Sequence, residues 1–297
     1  MTDTRKSAAP ADGGGAAQNA ASSAVHPFDE AVALQHEGGD VFTGRTTPEY
    51  GNMVGPFGGV TAACLLNACC LHPQRLGDPV ALTVNYAGPI GDGPFRITAR
   101  AARTNRSTQH FSLELRQDGD DQALTTATAV FAARRETWSA TEPKYPDLPM
   151  PTAEQSSQRP MFPRSRVAWI RNYDMRFVHG TFPDPEQPMP GTDSVTSLWI
   201  SDVPPRPLDF LSLAAISDCF FPRVYLRRQK IAPAGTVSIT TYFHADARSF
   251  ERQGTRPVLG TAKAMRFTGG FFDQSAEIWA DDGELLATSH QIVYFKD

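Results

Sequence analysis

The sequence predicts an α+β chain made of two similar halves, each with one buried helix followed by antiparallel strands. Three observations support this prediction. An apolar helical run occurs once in each half, a β-hairpin pattern ends each half, and a Pro-rich stretch separates the two. At 297 residues the chain is long enough for two domains of ordinary size. The halves therefore read as tandem copies of one fold.

The chain opens with an arm that we predict to be disordered. Residues 1–25 are rich in Ala, Gly and Ser and have no apolar stretch of the kind that a secretory signal needs. Ordered structure is expected from the segment "HPFDEAVAL" onward. The first half is then predicted to cover residues 26–135.

The first predicted helix lies in "GGVTAACLLNACCLHP", residues 58–73, and is apolar nearly all round apart from Thr61 and Asn67. A helix with this pattern is usually buried. Gly58 and Gly59 open it, and two interpretations remain. The pair is either a tight turn into the helix, or it lets another group approach the free N–H donors and positive dipole of the helix start.

The last part of each half carries the clearest repeat. The segment "FSLELRQDGDDQALTTATAVF", residues 111–131, is matched by "SAEIWADDGELLATSHQIVYF", residues 275–295. Each contains an Asp-Gly pair between β-rich runs, which predicts a hairpin. The interval from Gly119 to Phe131 equals that from Gly283 to Phe295. The repeat therefore provides a residue-by-residue register between the halves.

Residues 136–165 are crowded with Pro, Ser and Thr and are predicted to form a linker, with the second half at residues 166–297. The second half contains the other apolar run, "PLDFLSLAAISDCFFP", residues 207–222. A sheet wrapped around one buried helix is the hotdog architecture. The sequence thus predicts a tandem, or double, hotdog.

Composition excludes several classes of function. The net charge is −4, so no strong positive field favours nucleic acid. No run approaches the about 20 apolar residues that insertion across a membrane requires. The four cysteines fit no zinc pattern and no cluster has metal-ligand spacing, so no metal is expected. Buried thiols fit a reducing compartment, and we expect the cytoplasm. Nucleotide-binding glycine motifs and the G-x-S-x-G elbow of serine hydrolases are also absent from the sequence.

Asp218 is the most conspicuous candidate residue, because it is a carboxylate inside an apolar helical run. A buried charge needs hydrogen bonds or a shifted pKa to persist. Aligning Pro73 with Pro222 at the ends of the two runs places Cys69 opposite Asp218. Only one half therefore carries the carboxylate, which favours a functional role. The alternative is a partly exposed Asp at the end of a helix.

Gln291 shows a similar asymmetry between the halves. The hairpin register pairs it with Ala127, and it pairs Val293 and Phe295 with Ala129 and Phe131. Alternation places each trio on one strand face, which Phe and Val mark as the inner one. An amide thus replaces an alanine on a buried face. The alternative is a Gln at the rim of the sheet, satisfied by backbone groups.

Residues 28–297 resemble the double-hotdog acyl-CoA thioesterases, of the thioesterase-II type and its thioesterase-like relatives. The matching segments are "GPFGGVTAACLL", "ARTNRSTQHFSLELRQDG", "RPLDFLSLAAISD" and "DDGELLATSHQ". The resemblance implies hydrolysis of fatty acyl-CoA to free acid and coenzyme A, with neither metal nor organic cofactor. It also implies that an Asp, a hydroxyl residue and a Gln activate the water. By motif these are Asp218, Thr236 and Gln291, while Gly58 and Gly59 would polarise the thioester carbonyl.

The position of the hydroxyl residue stays open at this point. Alternation groups Thr236 with Ser238 and Thr240 on the polar face, away from Ile239. Either a β-bulge intervenes, or Thr240 or Thr241 supplies the hydroxyl.

Basic residues follow the second helical run, at Arg223, Arg227 and Arg228. Guanidinium groups suit the phosphates of coenzyme A, so these arginines are candidate contacts for it. The alternative is an ordinary solvated face.

Two rival functions remain open from the sequence. One is a non-catalytic protein that binds acyl-CoA or another acyl thioester. The other is a hotdog hydratase or dehydratase, although no Asp-x-x-x-x-His arrangement follows either helical run. The expected partner is an acyl-CoA substrate, without nucleic acid or membrane insertion. The sequence leaves the oligomeric state open, and homo-oligomers are compatible with this fold.

Overall fold

The structure is a computed structural model that describes residues 1–2, 25–119, 121–157, 167–183 and 193–296. Most of the predicted disordered arm, residues 3–24, lies outside the described residues, as does the end of the predicted linker, residues 158–165.

The described residues form one continuous antiparallel sheet of thirteen strands, six before the predicted linker and seven after it. The strands are β1 (Gln35–Gly38), β2 (Val41–Arg45), β3 (Asp78–Tyr86), β4 (Pro94–Thr104), β5 (Thr108–Arg116), β6 (Thr125–Ala132), β7 (Tyr173–His179), β8 (Thr196–Asp202), β9 (Ala234–Phe243), β10 (Val258–Lys263), β11 (Phe267–Thr268), β12 (Phe271–Trp279) and β13 (Leu285–Phe295).

The order of strands in the sheet is β1-β2-β4-β5-β6-β3-β9-β13-β12-β10-β8-β7, with β11 paired to β12 alone. Strands β3 and β9 form the junction between the halves. They pair antiparallel in a register that places Val84 opposite Ile239 and Thr83 opposite Thr240. The two halves therefore share one sheet, and backbone hydrogen bonds cross from one half to the other.

Six α-helices accompany the strands in the described part of the chain. They are α1 (Pro27–Ala31), α2 (Gly58–Cys70), α3 (Ala153–Ser157), α4 (Phe210–Ile216), α5 (Arg223–Arg228) and α6 (Ala247–Gln253). Helix α2 is the central helix of the first half and packs against β3, β4, β5 and β6. It also packs against α4, the central helix of the second half, so the two helices meet inside the curved sheet.

The predicted α+β double hotdog is confirmed. Helix α2 is buried on nearly all sides, as its sequence indicates. Both predicted hairpins form, and the glycine of each Asp-Gly pair has a positive φ, 88° at Gly119 and 89° at Gly283. The proposed division at residues 136–165 keeps β1 to β6 in the first half and β7 to β13 in the second.

Two predictions about the elements need correction. The apolar run at residues 207–222 is not one helix, because α4 ends at Ile216 and a separate helix, α5, begins at Arg223. Asp218 therefore lies in the turn after α4 and not within a helix. Each half also has two strands before its central helix, β1 and β2 or β7 and β8, which the predicted helix-then-strands pattern omitted.

Candidate active site

Asp218 faces the start of the first half's central helix. The turn after α4 directs its carboxylate to the N-terminus of α2, where the N–H of Gly59 donates a hydrogen bond to it. The approach is close: a Cβ on Gly58 would lie 2.7 Å from Oδ2 of Asp218. The positive end of a 13-residue helix favours a negative charge at this position. The carboxylate thus belongs to one half and its helix N-terminus to the other.

Gln291 is the side-chain partner of Asp218. It lies on the inner face of β13, is 6% exposed, and donates from Nε2 to Oδ1 of Asp218 at 3.1 Å. The same nitrogen lies 3.4 Å from the carbonyl oxygen of Ser217. Ile292 and Tyr294, the alternate residues of the strand, point outward. The predicted inner face of β13 is confirmed.

Thr236 completes the group through a β-bulge. In the pairing of β9 with β13, Ile292 is opposite Ser238 but Val293 is opposite Thr236, so Val237 is the extra residue. The bulge turns Thr236 to the face of Gln291, and its Oγ1 donates to Oε1 of Gln291 at 3.2 Å. Thr240 is not the hydroxyl at this site, since its Oγ1 lies 2.9 Å from Oγ1 of Thr83. The structure therefore brings Asp218, Gln291 and Thr236 together, while their catalytic roles stay a prediction.

Burial dominates the electrostatics of Asp218. Removal from water raises the pKa of this carboxyl to about 7, although the hydrogen bonds from Gln291 and Gly59 act in the opposite direction. Asp218 can thus change its charge near neutral pH. A group with this property is suited to accept a proton from water.

Gly58 and Gly59 both adjoin the site, but Gly59 already has a role there because its N–H donates to Asp218. Glycine is also required at Gly59 by packing, since a Cβ would lie 2.5 Å from the carbonyl oxygen of Ala215 in α4. Of the two alternatives from the sequence, the close approach of another group is the one observed.

Arg223 does not contact solvent, and its assignment to coenzyme A is wrong in this structure. Its side chain is 0% exposed, and Nη1 donates to Oγ1 of Thr196 at 2.6 Å while Nε donates to Oε1 of Gln274 at 3.0 Å. Burial lowers the pKa of the guanidinium to about 9. Nothing in the sequence separates Arg223 from Arg227 and Arg228. Only the fold shows that Arg223 is buried. Arg227 and Arg228 are exposed and line a surface groove with Lys263 and Arg266.

Asp218, Gln291 and Thr236 open onto a cavity of about 170 Å³. Its remaining wall is largely apolar and aromatic, and the residues that dominate it are Phe57, Trp169, Met175, Phe177, Phe220 and Phe221. Phe57 and Trp169 stack with their ring centroids 4.1 Å apart. The cavity can therefore hold an apolar group beside three polar side chains.

Two residues at this site are missing from the sequence-based prediction. Gln274, on the inner face of β12, lines the cavity and is 1% exposed. Tyr86, at the end of β3, donates from its hydroxyl to the carbonyl oxygen of Gly58 at 2.7 Å and so holds the start of α2. Gln274 alternates with Phe272 and Ala276, a period-2 pattern that could have revealed it. No signal in the sequence singles out Tyr86.

The pairing registers show that the polar positions belong to one half only. Gln291 is opposite Gln274, whereas its counterpart Ala127 is opposite Leu113. In the same register, Thr236 opposite Val293 corresponds to Leu82 opposite Ala129. The second half thus has polar inner residues at positions where the first half has apolar ones.

Among the residues that the structure describes, no group of three or more His, Cys, Asp or Glu side chains could hold a metal ion. No helix in that part of the chain is long and apolar enough to cross a membrane.

The fold and site define a double-hotdog protein in which three polar side chains lie at the wall of an apolar cavity. Family models agree: the acyl-CoA thioesterase N-terminal domain matches residues 47–132 and the C-terminal domain matches residues 143–295. The chain therefore belongs to the acyl-CoA thioesterase family, and it is a thioester hydrolase. A comparison with curated proteins returns no match to this chain.

Solved structures extend the likeness over most of the chain. A conserved hotdog protein of unknown function from Alicyclobacillus acidocaldarius is 48% identical, with a TM-score of 0.82, covering 92% of this chain and 98% of that one. A proposed thioesterase II from Thermobifida fusca YX is 19% identical, with a TM-score of 0.74 and the same coverage. A tesB protein from Mycobacterium avium subspecies paratuberculosis is 18% identical, with a TM-score of 0.70, covering 91% and 98%. The last two support the fold alone.

Proposed function

We propose that the protein hydrolyses an acyl-CoA thioester to free acid and coenzyme A by direct attack of a water molecule. One observation carries the proposal: Thr236, Gln291, Asp218 and the start of α2 form a continuous hydrogen-bonded chain at the wall of an apolar cavity. A cavity of this kind can hold an acyl group with its thioester beside the carboxylate.

Asp218 acts as the general base. It takes a proton from the water as the water oxygen bonds to the thioester carbon. The carbon–sulfur bond then breaks, and the proton held by Asp218 passes to the departing thiolate, which gives free acid, coenzyme A and an ionised Asp218. Gln291 and Thr236 position the water and orient the carboxylate. General-base assistance of this kind contributes roughly 10²–10⁴-fold in rate.

The developing oxyanion is assigned to the first turn of α2. The backbone N–H of Gly58 is the proposed hydrogen-bond donor to the oxyanion, because the N–H of Gly59 already donates to Asp218. One donor of this type is worth roughly 10²–10³-fold in rate. Arg227 and Arg228 remain the proposed contacts for the coenzyme A phosphates, since they are exposed beside a groove.

The family also suggests a place in fatty acid metabolism. Four free cysteines support a location in a reducing compartment, and we assign the protein to the cytoplasm.

The test is release of free thiol from a panel of acyl-CoA substrates. Asp218→Asn should lower kcat by at least 10²-fold on a substrate that the parent hydrolyses, with an unchanged circular dichroism spectrum. Gln291→Ala, which reproduces the residue of the first half, should lower kcat by about 10-fold or more. Asp202→Asn is the matched control, because Asp202 is a buried carboxylate of the same half outside the cavity wall.

Near-parental turnover in Asp218→Asn would contradict the proposed mechanism. If Gln291→Ala lowers only the melting temperature, Gln291 is a structural residue. A protein that binds acyl-CoA tightly and hydrolyses none of the panel would instead be the non-catalytic binding protein.

A further inference from the structure

Gln274 carries a hydrogen-bond donor that has no partner among the residues described by the structure. Its side chain is 1% exposed and lines the cavity beside Gln291, yet Nε2 has no acceptor in the described part of the chain. A buried amide nitrogen without an acceptor is destabilising, and an orphaned donor of this kind indicates a partner from outside the chain, such as water or a ligand.

The direction of this amide is fixed by Arg223. Nε of Arg223 can only donate, and it donates at 3.0 Å to the side chain of Gln274, so the acceptor must be the amide oxygen. The guanidinium is itself held by Thr196 and by the carbonyl oxygens of Ser194 and Phe221. The Gln274 amide is therefore held in one orientation, with its oxygen on Arg223 and with Nε2 buried and without an acceptor at the wall of the cavity.

The position of Gln274 relates this donor to the thioester. Gln274 and Gln291 are directly opposite on β12 and β13, a relation that places their Cβ atoms about 4.5–5.5 Å apart. An acyl group whose carbonyl lies beside Gln291 and Asp218 would thus have its next few carbon atoms beside Gln274.

The size of the cavity limits the acyl group further. An apolar cavity of about 150 Å³ holds one benzene molecule, and the cavity here is about 170 Å³. The part of the acyl group within this apolar wall is therefore about the size of a benzene molecule, and a longer chain would extend through the open side.

We infer that the acyl group of the natural substrate bears an oxygen substituent close to the thioester carbonyl, which accepts a hydrogen bond from Nε2 of Gln274. The inference rests on the proposed function, because it places the thioester beside Asp218. Gln274 is thereby a specificity-determining residue of the second half, at a position where the first half has Leu113.

The test compares butanoyl-CoA with both enantiomers of 3-hydroxybutanoyl-CoA, which have equal chain length and differ by one hydroxyl. Thiol release gives kcat/KM for each, and calorimetric titration of Asp218→Asn gives binding without turnover. The wild type should prefer one hydroxylated enantiomer by about tenfold over butanoyl-CoA, because a donor built to meet an oxygen disfavours its absence.

Two variants distinguish loss of the Nε2 donor from loss of the hydrogen bond between Gln274 and Arg223. Gln274→Met removes the donor, and Gln274→Glu removes it while retaining an oxygen for Arg223. Both should lose the preference. The control is Gln109→Met, because Gln109 is a fully buried glutamine of the first half whose amide is bonded to Leu76, Gln74 and Thr104. It should keep the preference whatever its stability.

Equal kcat/KM and equal binding for butanoyl-CoA and both hydroxylated substrates would overturn the inference, even with active enzyme. A preference that survives in both Gln274 variants would overturn it as well. Absence of hydrolysis with the binding preference intact would overturn the proposed function and support the inference.

Discussion

At the scale of single residues, the chemistry of the site depends on a partly buried carboxylate that has two hydrogen-bond donors beside it. Burial raises the pKa of Asp218 to about 7, and two hydrogen bonds only partly oppose this effect. A general base works in its ionised form, which predominates above the pKa. We therefore expect kcat/KM to rise about tenfold per pH unit below pH 7 and to become constant above about pH 8.

The pH profile is measured by thiol release between pH 5 and 9, with product quantified directly at the acid end. Gln291→Ala removes a hydrogen bond that stabilises the ionised form, so its profile should shift to higher pH. A flat profile between pH 5 and 8 in the wild type would exclude Asp218 as the titrating base.

The same raised pKa has a consequence for stability. In the unfolded chain the carboxyl has its ordinary pKa of 3.8, so between pH 4 and 7 the folded state binds more protons than the unfolded state. Protonation of Asp218 thus stabilises the fold at low pH, and this contribution is lost as the pH rises through 7. In Asp218→Asn the side chain at this position is uncharged at every pH, so it makes no contribution of this kind.

The free energy of unfolding of Asp218→Asn, relative to the wild type, should therefore increase by about 1.4 kcal/mol per pH unit between pH 5 and 7 and stay level above. Urea unfolding at pH 5, 6, 7 and 8 measures the difference, in which the other titrating groups cancel. A difference that is independent of pH would show that burial does not raise the pKa of Asp218.

At the scale of the elements, the site depends on how closely α2 and α4 approach. A Cβ on Gly59 would lie 2.5 Å from the carbonyl oxygen of Ala215 and equally close to the Phe57 ring. Gly59→Ala must therefore move α4, and with it the turn that carries Asp218. We expect a loss of about 1–3 kcal/mol in the free energy of unfolding, together with loss of turnover.

Thermal and urea unfolding measure this effect, and Gly91→Ala is the matched control. A Cβ on Gly91 would lie no closer than 3.5 Å to any neighbour, so the control should keep both stability and activity. Wild-type stability of Gly59→Ala would mean that the helices are further apart than the structure shows.

The elements also show what the sequence could predict. Local signals predict α2 and the two Asp-Gly hairpins, since the continuous apolar run and the turn residues lie within each segment. The break after Ile216 depended on tertiary contacts, because Asp218 is held by Gln291 and by the start of α2. The β-bulge at Val237 in β9 likewise has no turn residue that would predict it. The alternation of polar and apolar residues along this strand required only that either a bulge intervene or another threonine supply the hydroxyl.

At the scale of the whole molecule, the repeat indicated that polar residues were concentrated in the second half. Asp218 and Gln291 stand out because the sequence alignment of the two halves places Cys69 and Ala127 opposite them. Gln274 is missing from the sequence-based prediction, because only the strand pairing identifies Leu113 as its counterpart in the first half. Arg223 could not be separated from its neighbours, since burial of a long cationic side chain is decided by the assembled sheet.

The two halves act as one site because a residue of the first half limits where the carboxylate of the second can lie. A Cβ on Gly58 would lie 2.7 Å from Oδ2 of Asp218 and 3.2 Å from the Tyr86 hydroxyl. Gly58→Ala should therefore displace the carboxylate, with at least a tenfold loss in kcat/KM and a shifted pH midpoint. Its melting temperature should fall less than that of Gly59→Ala. The new Cβ at Gly58 displaces the Asp218 side chain, whereas the one at Gly59 meets the backbone of α4.

A double-mutant cycle shows whether this effect passes through Asp218. If it does, adding Gly58→Ala to Asp218→Asn should change the residual rate by less than twofold, whereas independent sites would lose at least tenfold again. Full additivity would mean that Gly58 acts through the thioester oxygen alone. Wild-type kcat/KM in Gly58→Ala would mean that the first half does not constrain the carboxylate. The cycle thus measures how far each half of the chain depends on the other at this site.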